Sequence, residues 1–86
     1  MDTLDIVKQY QIRAKEYALE YEVDNEHTIS IIASVMMTRD KVGLHGGGFV
    51  QAVVNNDLLN AISRADTQCY YNLRVIVAAC HYCYLD

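Results

Sequence analysis

The stretch from Thr28 to Asp40 restricts the fold more than any other. Ile29, Ile31, Ile32, Ala33, Val35, Met36 and Met37 put apolar side chains on every side of it, whatever regular conformation it adopts. The β-branched residues would serve a strand. Ala33, Met36 and Met37 favour a helix, however, and the run is longer than an ordinary strand. No turn and second strand stand beside it, so a lone strand would leave its ladder hydrogen bonds unmade. The expectation is a helix largely enclosed by the rest of the chain.

The flanking segments supply the enclosure. From Asp2 to Val23, the residues Val7, Tyr10, Ala14, Tyr17 and Tyr21 recur at three- and four-residue steps, one stripe of an amphipathic helix. Asp2 is placed to cap that helix, and Asp24 and Asn25 break it and cap the next. Gly43 reads as the stop after Thr28–Asp40, because glycine accepts the left-handed conformation that ends helices. Helical spacing resumes at Phe49–Val54 and is interrupted by Asn55-Asn56-Asp57. A short helix through Leu58, Leu59, Ala61 and Ile62 follows, capped by Asp57. Asp66 caps the last helix, whose buried stripe is Leu73, Ile76, Val77 and Cys80. The chain of 86 residues therefore reads as one all-α domain, residues 1–86, a small bundle of four to five helices.

A chain this short has a high surface-to-volume ratio and needs few apolar residues, yet 52% of its residues are apolar. The surplus points to a subunit interface, hence a homo-oligomer. Eleven acidic against seven basic side chains give a net charge of −4, which argues against direct binding to nucleic acid. No apolar run reaches the ~18 residues of a membrane span. Three cysteines without framework spacing and an acidic N-terminal stretch suit a reducing cytoplasm.

Among the candidate sites, Cys80-His81-Tyr82-Cys83 supplies a CxxC pair, but Cys69 is three helical turns away from it along one helix. The three cysteines therefore read as core packing, with no metal expected. The glycine-rich loop Gly43–Gly48 is the stronger candidate. Gly46, Gly47 and Gly48 let backbone N–H groups approach a ligand where a helix starts. Arg39 and Lys41 lie just upstream, His45 within it, and Arg64 at a later helix junction. Together they form a candidate grip for a phosphate or carboxylate, with Tyr17 and Tyr21 as candidate stacking surfaces. The loop is no P-loop, since no Lys-Ser or Lys-Thr follows the glycines, and no βαβ unit surrounds it. His27, His45 and His81 are scattered without a nucleophile beside them, so no enzyme chemistry and no cofactor are expected.

The run Gly46-Gly47-Gly48-Phe49-Val50-Gln51-Ala52-Val53-Val54-Asn55-Asn56-Asp57-Leu58-Leu59-Asn60-Ala61-Ile62-Ser63-Arg64-Ala65-Asp66 resembles a group of short tailed-phage and prophage accessory proteins. Their pattern is GGF[LV]xAVLxNDLxxAxxRAD. The likeness covers about half of the chain, from Gly43 onward. It departs at Gly46, where the group often has proline, and at Gln68, Cys69 and Tyr70, where acidic residues and asparagine are common. The resemblance implies a phage-encoded protein in the bacterial cytosol that disarms host immunity. One form of that role is a homo-oligomer that sequesters a nucleotide-derived immune signal without cleaving it. Another is a protein–protein inhibitor of a bacterial defence complex, as anti-CRISPR proteins are. A third is a structural or regulatory phage protein.

Overall fold

In a computed structural model, residues 3–44 and 46–80 are described, and six helices account for most of them: α1 (Thr3–Glu20), α2 (Glu26–Asp40), α3 (Gly48–Val54), α4 (Leu58–Arg64), α5 (Thr67–Tyr71) and α6 (Leu73–Cys80). No strand occurs among the described residues. The apolar stretch is indeed a helix, and it is the hub. α1, α3, α5 and α6 all pack on α2, which buries Thr28, Ile32, Ala33, Val35, Met36 and Met37. Apolar side chains on every side are satisfied only when each side has a neighbour.

α1 lays Tyr10, Ala14, Tyr17 and Ala18 against α2, matching most of the expected stripe. Tyr21 falls outside it because the helix stops at Glu20. The stop is a left-handed residue, Glu22 at φ 61°, with the Val23 amide donating to Ala18 O at 2.9 Å. The same closure ends α2. There the left-handed residue is Lys41 at φ 59°, and the Val42 amide donates to Met37 O at 3.0 Å. A third copy, at Asn56 (φ 61°), ends α3, with the Asp57 amide donating to Ala52 O at 2.8 Å. The expected stop at Gly43 is thus corrected to Lys41, two residues earlier. Gly43 is itself left-handed (φ 65°) and turns the chain a second time.

The starts follow the expected caps. Asn25 Oδ1 accepts from the Thr28 amide, Asp57 Oδ1 from the Asn60 amide, and Asp66 Oδ1 from the Cys69 amide. Asp2, expected to cap α1, lies outside the described residues. Six helices replace the expected four to five because the last one is interrupted at Asn72 (φ −106°). Its side chain donates to Gln68 O at 3.0 Å and to Thr28 Oγ1 at 3.4 Å. Thr28 is wholly buried, and its hydroxyl donates in turn to Asn25 Oδ1 at 3.2 Å, so the break in the chain satisfies the hub helix. α6 then buries Ile76 and Ala79 on α2. No described helix is long and apolar enough to cross a membrane.

Candidate functional site

Two left-handed residues, Lys41 and Gly43, and a buried glycine, Gly46, set the shape of the 41–48 loop. Gly46 is buried: its amide donates to Thr38 Oγ1 at 3.0 Å, and its carbonyl accepts from Gln51 Nε2 at 2.9 Å. A Cβ there would stand 2.3 Å from Val50 Cγ1. Gly46 therefore pins the loop to α2, and its amide is not open to a ligand, contrary to the expectation. Gly47 is the N-cap of α3 and offers no side-chain cap. Nothing lies within 4 Å of where its Cβ would be. Gly48 meets the guanidinium of Arg64, whose Nη1 lies 2.9 Å from a Cβ built on Gly48. A side chain at 48 would push Arg64 away, so the glycine is what lets Arg64 lie across the first turn of α3. Arg64 itself is exposed, and no carboxylate pairs with it among the described residues. His45 lies outside the described residues.

Arg39 is placed differently from the expectation. Its Nε and Nη2 donate to the two carboxylate oxygens of Asp40 at 2.8 and 3.1 Å. Its Nη1 donates to Ala79 O and Cys80 O at 3.3 and 3.2 Å. Tyr10 completes the group, donating to Asp40 Oδ2 at 2.6 Å. The guanidinium beside Asp40 is the main influence holding that carboxyl below its usual range, while burial pushes the Tyr10 phenol up. Arg39 is thus a clasp that joins α1 and α2 to the carbonyls of Ala79 and Cys80 on α6. Its guanidinium nitrogens face Asp40 and α6, while the residue also lines the cleft beside Lys41. Lys41 is exposed and lines a cleft of about 380 Å³ together with Met37, Leu44, Gln51 and Asn55, whose lining does not include Gly47, Gly48 or Arg64. The expected single pocket is therefore two separate places on either end of α3.

Tyr17 is also corrected. It is 1% exposed, and its hydroxyl donates to Val75 O at 2.6 Å, so neither face of the ring is open to a base. Tyr21 is half-exposed, with its ring 4.9 Å from that of Tyr17 at an interplanar angle of 46°.

Exposed large apolar side chains stand on α1 (Leu4, Ile12, Leu19), on α5 (Tyr70, Tyr71) and, side by side, on α4. Of its seven residues only Ala61 is buried, while Leu58, Leu59 and Ile62 are 61%, 82% and 43% exposed. Positions 58, 59 and 62 share one side of a helix, because steps of three and four residues return to the same face. No acidic residue lies on α4. Helical spacing alone marked these leucines as apolar; it carried no signal of which neighbour would fail to cover them.

One cluster escaped the sequence reading. His27 in the first turn of α2, Asp66 and Cys69 bring a nitrogen, an oxygen and a sulfur within 4.8 Å of one another. His27 Nε2 lies 2.7 Å from Asp66 Oδ2. Asp66 is held below the usual carboxylate range, first by the Cys69 amide and then by His27. Burial, and then the Asp66 carboxylate, push the Cys69 thiol up to about 11. The separation of 39 residues between His27 and Asp66 hid the group; His81 and Cys83, nearer in sequence to Cys80, lie outside the described residues. No family model, no curated protein and no solved structure matches the chain.

Proposed function

We propose that this chain is a non-catalytic binding protein that acts as a homo-oligomer, paired through the apolar face of α4. The exposed side chains Leu58, Leu59 and Ile62 carry the proposal, because a folded monomer gains nothing by leaving them in water. A second copy is the occupant that fits best. Pairing α4 with itself about a twofold axis buries each leucine twice, and α4 brings no acids to repel one another although the chain as a whole carries −4. Its composition, too rich in apolar residues for its length, supports the same reading. Native mass spectrometry tests it: an even multiple of the chain mass is expected, and a monomer at micromolar concentration would end the proposal.

A second reading concerns what the oligomer holds. Arg64 lying across Gly48, beside the open Gly47, favours an anionic group at that place, since a guanidinium can offer a forked pair of donors to phosphate. With the likeness to phage accessory proteins, this supports sequestration of a nucleotide-derived immune signal, held by its phosphates and not cleaved. Inhibition of a host defence complex through the same α4 face is the competing role. Thermal melting with cyclic dinucleotides and ADP-ribose-type compounds separates the two. A ligand that binds only the folded state raises the melting temperature, and Arg64→Ala should remove the rise. If no such compound shifts the wild-type transition, the sequestration reading fails.

A further inference from the structure

The cluster of His27, Asp66 and Cys69 is not used by either reading above, and its chemistry is specific. An imidazole nitrogen, a carboxylate oxygen and a thiol sulfur are the three donor types that zinc accepts in proteins. They come from two separated parts of the chain, the start of α2 and the junction of α4 with α5, which only the fold brings together. Cys69 is 2% exposed, whereas His27 and Asp66 are each about half-exposed (49% and 54%), so the group is closed on the sulfur side and open to water on the other. We propose that His27 Nε2, Asp66 Oδ2 and Cys69 Sγ bind one zinc-like divalent ion, with water in the fourth position.

The geometry needs only side-chain rotation. Bonds of roughly 2.0–2.1 Å to nitrogen and oxygen and about 2.3 Å to sulfur place tetrahedral donors about 3.3–3.7 Å apart. His27 and Asp66 now stand 2.7 Å apart, so a metal would spread them by about half an ångström and draw the sulfur in from at most 4.8 Å. Asp66 can turn one oxygen to the metal without losing its cap, because Oδ1 accepts from the Cys69 amide while Oδ2 faces His27. The retained bond from the Cys69 amide would orient the carboxylate from behind.

The charges also balance. Binding replaces the Cys69 thiol proton, which leaves to solvent, and moves the proton that His27 Nε2 shares with Asp66 to the Nδ1 tautomer; no electron is transferred. Neutral imidazole, carboxylate and thiolate then carry −2 against the ion's +2. The starts of α2 and α5 both lie here, and their partial positive charge opposes a cation, but the two anionic ligands outweigh it. The ligands converge only in the folded chain, so the ion would tie α2 to the α4–α5 junction and stabilise the whole.

The test uses the full reduced chain and Co2+ as the probe. One equivalent should give a near-ultraviolet thiolate-to-cobalt band with the visible bands of tetrahedral cobalt, and Zn2+ should displace it. Zn2+ in hundredfold excess over its Kd should raise the melting temperature by roughly 10–20 °C. His27→Ala, at an exposed position, should weaken binding at least tenfold. Asp66→Asn, which keeps a good helix cap, should weaken it likewise. Cys80→Ser and Cys83→Ser should leave the band intact. Because the site lies within one chain, Leu59→Asp should not change the stoichiometry. Absence of the band, its survival in His27→Ala, or its loss in Cys80→Ser or Cys83→Ser each overturns the proposal.

Discussion

Replacing Tyr17 by Phe separates a structural tyrosine from a ligand-stacking one. The ring is 1% exposed and its volume is kept, so packing is unchanged, and the substitution removes only the hydroxyl that donates to Val75 O at 2.6 Å. That bond joins α1 to α6 across 58 residues. A buried hydrogen bond of this kind contributes about 1 kcal/mol net. In a chain of this length that loss corresponds to roughly 4–8 °C in Tm. The assay is urea and thermal unfolding followed by helical circular dichroism, with Tyr21→Phe alongside. The half-exposed Tyr21 should shift stability by less than about 0.5 kcal/mol. If Tyr17→Phe unfolds like wild type yet loses affinity for a nucleotide, the ring is a ligand surface and the assignment of Tyr17 to the core is wrong.

Gly43→Ala should destabilise by about 1–3 kcal/mol in the same assay. An L residue at φ 65° is strained by roughly 1–2 kcal/mol, and its Cβ would stand 2.5 Å from Met37 Sδ, forcing that side chain to move. Wild-type stability would show that the loop relaxes freely. In acid, Asp40 and Asp66 both have depressed folded pKa values, so their stabilisation is present above the unfolded value near 4 and is lost as the pH falls through the folded values. The urea midpoint should therefore decline below about pH 4, and less steeply in Asp40→Asn. In alkali, the Cys69 thiol is raised from 9.0 to about 11, so its contribution is complete below 9 and is lost as the pH climbs through 11. Cys69→Ser should remove that share of the alkaline decline.

Periodicity made the helices legible, and short-range chemistry made their starts legible. Asn25, Asp57 and Asp66 cap where their side chains said they would, because a cap is a contact over three residues. The helix ends were harder. Glu22, Lys41 and Asn56 adopt the left-handed conformation that glycine takes most easily, each with a backbone bond closing behind it; the asparagine signals it, whereas nothing in the side chains of Glu22 and Lys41 does. The candidate site was legible only in part. Gly48 and Arg64 do come together, but Arg39 turns to Ala79 and Cys80, forty and forty-one residues away, and Tyr17 to Val75. Those choices depend on how α6 docks on α2, as does the meeting of His27 with Asp66. Exposure of Leu58, Leu59 and Ile62 was likewise hidden, since the apolar spacing of a core face and of an interface face is the same.

Self-association through α4 is the central claim, and sedimentation equilibrium of wild type against Leu59→Asp tests it most directly. Leu59 is 82% exposed in the monomer, so the substitution should leave folding within about 0.5 kcal/mol of wild type. In a twofold pair the lost burial counts twice, about 2 kcal/mol per copy, which weakens the dimer by roughly a thousandfold or more. A wild-type dimer that becomes a folded monomer on substitution is the expected result. An assembly of unchanged size and affinity in Leu59→Asp would contradict the account.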